Sequence, residues 1–201
     1  MMIIREALVE AEVVLVLQQL VETAAFMVAA EHQVVLLQVQ ALKASSKPTV
    51  ALIQDLGDSA AYLASTGART IIASPLSDVG DIGVTSSYVD TSGADEKAGN
   101  SFVQISAGKY KDSGNPDKPL TAEERQLLQN NVDEDYKTFV NEVAINRNFS
   151  TTTVSKLADG SSLPGSIAIT KGLIDQLGNL STAQSWIQSH ISDADPVVLC
   201  Q

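Results

Sequence analysis

Residues 49–62, with the sequence TVALIQDLGDSAAY, decide the fold of this chain. The run at residues 50–53 (VALI) is apolar throughout and too short for an ordinary helix, so it predicts a buried strand. The small side chains of residues 59–66 predict a helix that ends near Gly67. Residues 71–73 predict a second short strand. A strand, a helix and a second strand in quick succession indicate an α/β crossover unit.

The length and charge of the chain narrow the classes of protein to which it can belong. With 201 residues and an apolar fraction of 44%, the chain is large enough for one domain with its own core. Its 24 acidic and 13 basic residues give a net charge of −11, and the sequence contains no cluster of lysine or arginine. Nucleic acid and anionic membrane surfaces are therefore poor partners. Cys200 is the only cysteine, so no internal disulfide is expected and the sequence leans towards a reducing compartment.

The leading stretch, residues 1–42, is apolar but punctuated by charged side chains. Its uncharged interval at residues 13–21 is far too short to span a bilayer, and no basic segment with a small-residue cleavage site indicates a signal peptide. Residues 7–42 contain no glycine or proline and suit one or two helices or buried strands. By sequence alone, we expect a soluble chain.

The middle of the chain predicts a turn, a loop and a strand. Gly80 and Gly83 favour a tight turn that leads into residues 85–89, and residues 90–100 form a polar loop. The alternation Phe-Val-Gln-Ile at residues 102–105 predicts a strand.

A long helix is predicted in the second half of the chain. Residues 121–124 (TAEE) form a capping box, and the helix is expected to run to about Arg147. Shorter helices are expected around residues 152–158 and 166–170, with Gly160 and Gly172 as their terminators. One apolar stripe of the long helix, at spacings of three and four, is predicted to face the core: Leu128, Val132, Tyr136, Phe139 and Val143.

Ser59 is the candidate for chemistry. A hydroxyl at the point where a strand gives way to a helix projects into a cleft, and the backbone N–H groups beyond it can face a developing oxyanion. Two lysines follow in the loop at residues 108–112, Lys109 and Lys111, and a lysine could take the serine proton. The pattern indicates a serine nucleophile with a lysine base.

Four motifs in this order resemble the signal peptide peptidase A (protease IV) family of Ser-Lys peptidases. Ser59 lies in a small-residue turn followed by Tyr62, and the turn GDIGV follows at residues 80–84. The loop GKYKD at residues 108–112 and the segment GLIDQLG at residues 172–178 come later. The resemblance extends from about Lys47 to Trp186.

The resemblance implies roles for particular residues. Ser59 matches the nucleophile and Lys111 the general base, whereas the spacing of Lys109 fits the base less well. The backbone N–H of Ala60 matches an oxyanion donor, although the family has glycine there. The turn that contains Gly80, Asp81 and Gly83 matches the segment next to the lysine.

The resemblance also implies a fold and a function. The fold is α/β, of the Clp protease and crotonase kind. The function is that of a serine endopeptidase which hydrolyses hydrophobic peptides such as signal-peptide remnants, without a cofactor. Such proteins form homo-oligomers in which neighbouring subunits complete the sites, and many are membrane-associated. We therefore expect three parts: an atypical or truncated amino-terminal segment of the same domain at residues 1–48, a peptidase-like domain at residues 49–190 and a tail at residues 191–201.

Two departures from the family pattern support an alternative function. Residues 1–56 contain no glycine, whereas the family has a Pro-Gly-Gly-like turn that supplies a second oxyanion donor. This segment is therefore missing, rearranged or replaced, and the second donor is not assigned. Asp81 stands where the family has a serine that orients the lysine, and an ionised carboxylate beside Lys111 would favour the ammonium form. The alternative is a catalytically impaired subunit that acts as an oligomeric scaffold or a peptide-binding protein. An acyl-CoA enzyme of the crotonase kind would share the architecture only.

Metal chemistry is not indicated. His32 and His190 lie far apart in the sequence and belong to no metal-ligand pattern, so each is predicted to be an ordinary surface or core residue.

Overall fold

A computed structural model of the chain describes residues 12–17, 29–191 and 197–200, with side chains from residue 33 to residue 191. Its elements in chain order are β1 (Glu12–Leu17), α1 (Ala29–Ala44), β2 (Val50–Ile53), β3 (Leu56–Asp58), α2 (Ala60–Ser65), β4 (Thr70–Ala73), β5 (Asp78–Gly80), α3 (Ser92–Lys97), α4 (Ala122–Asn146), α5 (Thr151–Ser155), β6 (Ser162–Pro164), α6 (Gly165–Ala168), β7 (Gln176–Leu177), α7 (Leu180–Gln188) and β8 (Val197–Cys200). His32 lies outside the described side chains, and so do the parts of the leading stretch at residues 1–11 and 18–28.

Among the described residues, the main sheet has five parallel strands in the order β7-β4-β2-β1-β8. In the registers of β2, Val50 aligns with Val14 of β1 and with Thr70 of β4. Every residue of β2 and of β4 is buried, as expected for parallel strands that are covered on both faces. The predicted strands at residues 50–53 and 71–73 are confirmed, and with them the α/β class.

Helix α7 packs against the main sheet. Val50, Leu52 and Ile72 form a buried cluster with Ala183 and Ile187 of α7. Each large apolar side chain buried in this way contributes roughly 1.5–3 kcal/mol to folding.

α2 packs tightly against α1. Tyr62 and Leu63 of α2 are fully buried. A Cβ atom at Gly67 would lie 2.8 Å from the Cα atom of Val39, so glycine permits the close approach of the two helices. The predicted helix over residues 59–66 is confirmed as Ala60–Ser65.

A smaller sheet has the strand order β3-β5-β6. β3 and β5 are parallel, and β5 and β6 are antiparallel. Gly80 of β5 aligns with Asp58 on one side and with Ser162 on the other. This sheet therefore brings the end of β3, which leads into Ser59, next to the turn that begins at Gly80.

An arginine connects the end of α4 to the main sheet. The Arg147 guanidinium donates two hydrogen bonds to the Asp175 carboxylate, at 2.7 and 3.0 Å, and further bonds to the Gly172 carbonyl at 2.9 and 3.2 Å. Asp175 Oδ2 also accepts the N–H of Ile71 in β4 at 2.7 Å. Paired bonds of this kind hold both charged groups in one geometry.

The chain divides into two compact units. One comprises the described residues up to Gly83 together with those from Thr138 onwards, and the other is Val84–Lys137. Within Val84–Lys137 only Glu124 is buried. The division expected at residues 48 and 190 stays a prediction, and residues 197–200, which the sequence placed in a tail, form β8 beside β1.

Two local predictions in Val84–Lys137 were wrong. The segment at residues 102–105 forms no strand in the described chain, because no neighbouring strand there supplies backbone hydrogen-bond partners. The polar loop predicted at residues 90–100 contains α3. Asp90 lies just before this helix and accepts hydrogen bonds from the N–H and the hydroxyl of Ser92, its first residue.

The long helix is confirmed as α4, with the predicted capping box at its start. The N–H of Glu124 donates to Thr121 Oγ1 at 3.2 Å, and Glu124 Oε2 accepts the N–H of Thr121 at 3.0 Å. The apolar stripe faces the core only in part: Phe139 and Val143 are buried, whereas its first three members are half-buried. No helix among the described residues is long and apolar enough to cross a membrane.

Candidate active site

Ser59 lies at the junction of β3 and α2 with an unusual backbone conformation. Its φ is 51° and its ψ is −120°, a combination that L-residues rarely adopt. Such a conformation costs on the order of 1–3 kcal/mol and is kept only where the surroundings enforce it. Among the described non-glycine residues, only Ser59, Asp81 and Asn148 have positive φ, and the first two lie at this corner.

Backbone hydrogen bonds hold Ser59 in place. Its N–H donates to the carbonyl of Gly80 at 2.8 Å, and its carbonyl accepts the N–H of Leu63 at 3.0 Å. The side chain of Ser59 does not cap α2, and no described residue forms a hydrogen bond with its hydroxyl. Ser59 is half-buried, and its hydroxyl is available for chemistry because no described group occupies it.

Ala60 provides the first backbone N–H after the serine. Because α2 begins at Ala60, this N–H has no acceptor in a preceding helical turn. An N–H directly after a nucleophile is well placed to donate to an oxyanion that forms on the attacked carbonyl.

The turn after β5 supports the serine from the other side. Gly80 has a φ of 115°, which favours glycine. Gly83 lies so close to Gly160 that a Cβ atom would come 3.2 Å from the Gly160 Cα, and the N–H of Gly160 donates to the carbonyl of Ile82 at 3.2 Å. The tight turn predicted from Gly80 and Gly83 thus packs against the segment that leads into β6.

Two carboxyl groups at this corner have raised pKa values. Burial is the main cause of the raised pKa of Asp58, with a further contribution from the neighbouring charges of Asp81 and Asp78, while the side chain of Ser162 acts in the opposite direction. Asp58 Oδ1 is buried without a hydrogen-bond partner in the described chain. Burial also raises the pKa of Asp81. Sequence reasoning missed Asp58, although an acidic residue between an apolar strand and a small-residue helix was a signal.

Tyr62 anchors α2 and does not serve as an acid or base. It is fully buried, and its hydroxyl donates to the carbonyl of Leu173 at 3.0 Å. Burial raises the pKa of Tyr62, so the phenol stays neutral.

The two candidate lysines differ in their surroundings. Lys109 Nζ forms an exposed ion pair with Glu123 Oε2 at 2.5 Å, and the bond to Glu123 raises the pKa of Lys109. Lys111 is exposed, and no described side chain forms an ion pair with it. The ion pair with Glu123 favours the ammonium form of Lys109. Ser59 and Lys111 lie in different units, so their pairing stays a prediction.

The described side chains contain no group of three or more His, Cys, Asp and Glu residues that could hold a metal ion. His190 stacks on Trp186 with ring centroids 3.9 Å apart, and its Nδ1 lies 2.7 Å from the Trp186 carbonyl oxygen.

Comparisons with known proteins show the family to which the chain belongs. The model of peptidase family S49 matches residues 41–192. A protein of Methanocaldococcus jannaschii, named a putative protease, is 36% identical over 156 residues, which are 78% of this chain and 50% of that protein. The chloroplastic serine protease SPPA of Arabidopsis thaliana is 32% identical over 143 residues, which are 71% of this chain and 21% of that protein. The chain thus spans half or less of the length of these relatives.

A solved structure supports the fold. A peptidase from Plasmodium falciparum superposes with a TM-score of 0.51 over 85% of this chain and 78% of that chain, at 8% sequence identity. At this level of identity the likeness concerns the fold alone.

Proposed function

We propose that this chain, which belongs to peptidase family S49, is a serine endopeptidase in which Ser59 is the nucleophile and Lys111 the general base. The proposed substrates are hydrophobic peptides, such as the remnants of signal peptides.

The backbone of Ser59 is the observation that carries this proposal. A serine on a strained turn between a strand and a helix presents its hydroxyl away from the backbone, which is the arrangement that nucleophilic serines require. The hydroxyl does not cap the helix that follows, so helix capping does not account for the strain. A function for the hydroxyl explains why the conformation is kept.

The reaction proceeds through an ester. As Ser59 Oγ attacks the peptide carbonyl, its proton passes to the lysine amine, and the N–H of Ala60 donates to the oxyanion. The protonated lysine then gives a proton to the leaving amine as the C–N bond breaks. Water, deprotonated by the same lysine, finally hydrolyses the acyl ester and restores the serine hydroxyl.

The lysine needs a dry environment to act as a base. A free lysine has a pKa of about 10.4, so action near neutrality requires a pKa lowered by roughly three, which costs on the order of 4 kcal/mol. Lys111 is exposed in the single chain. We therefore propose that a neighbouring subunit, together with an apolar substrate, covers this lysine in a homo-oligomer.

Labelling with a fluorophosphonate tests the assignment. In the assembled protein, Ser59→Ala should abolish labelling. Lys111→Ala should lower labelling and the hydrolysis of an apolar quenched-fluorescence peptide by roughly a thousandfold. Lys109→Ala is the matched control, because its ammonium already pairs with Glu123 and it should retain both activities.

Three results would reject all or part of this proposal. Equal labelling of the wild type and the three variants would exclude Ser59 as the nucleophile. If Lys109→Ala lost activity and Lys111→Ala retained it, the general base would be Lys109 and not Lys111. A wild type that assembles but is neither labelled nor active would favour the scaffold function, for which Asp81 in the place of the family's serine is the specific observation.

A further inference from the structure

The motif at residues 172–178 (GLIDQLG) has no part in the reaction proposed above, yet it contacts the elements that carry the candidate nucleophile. Leu173 and Ile174 of this motif are almost fully buried. Leu173 contacts both α2 and the turn after β5, and these two elements hold Ser59. The motif therefore lies where it can act on the position of the serine.

The first contact is a hydrogen bond to α2. Tyr62 is fully buried, and its hydroxyl donates to the carbonyl of Leu173 at 3.0 Å. Tyr62 lies in the first turn of α2, three residues after Ser59 and two after Ala60, whose N–H is the proposed oxyanion donor. Because the ring of a tyrosine is rigid, a bond at its hydroxyl fixes the start of this short helix.

The second contact is made by the side chain of Leu173. A Cβ atom on Gly80 would lie 3.7 Å from Leu173 Cδ1, so this methyl group borders the turn after β5. The carbonyl of Gly80 accepts the N–H of Ser59 at 2.8 Å. Leu173 thus supports the amino side of Ser59 through Gly80 and its carbonyl side through Tyr62.

The segment around Leu173 is itself fixed to the main sheet. Asp175 exchanges hydrogen bonds with Ile71 of β4: its N–H donates to the Ile71 carbonyl at 2.9 Å, and its Oδ2 accepts the Ile71 N–H at 2.7 Å. On the other side of Leu173, the carbonyl of Gly172 accepts two hydrogen bonds from Arg147. A segment that is bonded on both sides and buried between them is a rigid support.

We propose that Leu173 and Tyr62 are positioning residues for the nucleophile. They transmit the fixed geometry of the main sheet to the Ser59 hydroxyl and to the N–H of Ala60. The inference rests on the proposed function of Ser59. The φ of 51° at Ser59 is unfavourable for a serine, so it depends on the groups around it. A displacement of about 1 Å in a catalytic group can lower the rate by roughly a hundredfold.

Tyr62→Phe tests the hydrogen bond. The variant keeps the buried ring but leaves the Leu173 carbonyl without its donor, so α2 is no longer held at its start. In the assembled protein, the rate constant for fluorophosphonate labelling and the kcat for an apolar peptide should fall by about tenfold or more, with an unchanged KM.

Ser65→Ala is the matched control for Tyr62→Phe. It removes a buried hydroxyl from the same helix, but the bond of that hydroxyl, to the Ala61 carbonyl at 2.7 Å, stays within α2. Its labelling rate should equal that of the wild type.

Leu173→Val tests the contact with Gly80. It removes one methylene group, keeps the carbonyl that Tyr62 needs and withdraws the methyl groups from Gly80. The same two rates should fall severalfold. Ile174→Val is the matched control, because the adjacent side chain is equally buried and loses the same volume, but none of its atoms lies within 4 Å of the Cβ position of Gly80.

The pH profile separates an effect on the serine from an effect on the base. Labelling should be half-maximal at the same pH in Tyr62→Phe, Leu173→Val and the wild type, because these residues hold the serine and not the lysine. All rates are measured well below the lowest Tm of the set, so that a loss of stability does not lower them. A shifted midpoint would show that the variants act on the base and would overturn the proposal.

Three further results would overturn the inference and leave the proposed function intact, provided that labelling still depends on Ser59. These are wild-type rates in Tyr62→Phe and Leu173→Val, equal losses of rate in the two control variants, or a raised KM with an unchanged kcat. If Ser59→Ala is labelled as well as the wild type, the proposed function fails and the inference fails with it. Labelling of Ser59→Ala thus distinguishes the two kinds of failure.

Discussion

At Ser59 and its neighbours, local strain and buried charge coincide. Ser59 has a φ of 51° and Asp81 has a φ of 47°. The N–H of Ser59 donates to the carbonyl of Gly80, the residue just before Asp81. Asp58 adds a carboxyl oxygen that is buried without a partner. Features of this kind lower stability, and proteins retain them chiefly at functional sites.

Replacing Asp58 should therefore stabilise the protein. A carboxyl with a raised pKa favours folding in its protonated form, so its contribution is present below the pKa of the unfolded chain and is lost as the pH rises through the folded pKa. Asp58→Asn is neutral at every pH and should raise the Tm at pH 7. Since solvent screens a half-buried carboxyl, we expect a gain on the order of 2 °C.

The pH dependence of the Tm tests whether the charge of Asp58 causes the difference. The difference in Tm between Asp58→Asn and the wild type should vanish at about pH 3, where the aspartate is protonated in both states. Asp55→Asn changes an exposed aspartate three residues earlier and should leave the Tm unchanged. A lower Tm for Asp58→Asn at pH 7 would show that its carboxylate forms a favourable interaction instead.

Among the elements, α4 depends on its amino-terminal cap. Glu124 closes the capping box with Thr121 and pairs with Lys118 Nζ at 2.5 Å, in a place where both side chains are largely covered. Lys118 and the N–H of Thr121 lower the pKa of Glu124 to about 2. Glu124 thus caps the start of α4 and also neutralises the charge of Lys118 in the preceding loop.

Glu124→Gln should lower the Tm at pH 7 by an amount on the order of 2 °C, because it loses the charge that favours both interactions. For a carboxyl with a lowered pKa, the stabilisation is present above the unfolded pKa, about 4.3, and is lost as the pH falls towards 2. The difference in Tm between wild type and variant should close over that range.

Glu123→Gln is the matched control for this prediction. Glu123 is the adjacent residue, and its ion pair with Lys109 is exposed, so it should contribute little. An equal loss of Tm in both variants would mean that the charge of the first turn matters more than the cap.

On the scale of the whole molecule, stability is unevenly distributed. The strands β2 and β4 are buried throughout, whereas Val84–Lys137 buries only Glu124. Segments with few buried contacts open at low free energy, and a well-covered sheet opens only when the protein unfolds.

Hydrogen exchange measured by mass spectrometry should reveal this contrast. Peptides from residues 84–118 should exchange within seconds to minutes. Peptides that contain β2 and β4 should stay protected until global unfolding. Equal protection of the two regions would contradict this prediction.

Local patterns in the sequence were sufficient for much of the fold. The apolar run at residues 50–53, the small-residue helix after Ser59 and the capping box at residues 121–124 each lie where the sequence predicted them. Each is determined by neighbours a few residues apart, through burial, backbone propensity or a cap. The motifs around Ser59 were likewise sufficient to indicate the family that the comparisons show.

Other features depend on residues far apart in the chain, and only the tertiary structure decided them. The positive φ of Ser59 needs the carbonyl of Gly80, and the contacts of Arg147 need Asp175 and Gly172. The strand predicted at residues 102–105 does not form in the single chain, because alternation prepares a segment for a sheet but only a neighbouring strand can complete its hydrogen bonds. The sequence by itself thus determined which segments can form elements, and the tertiary structure decided which of them find partners.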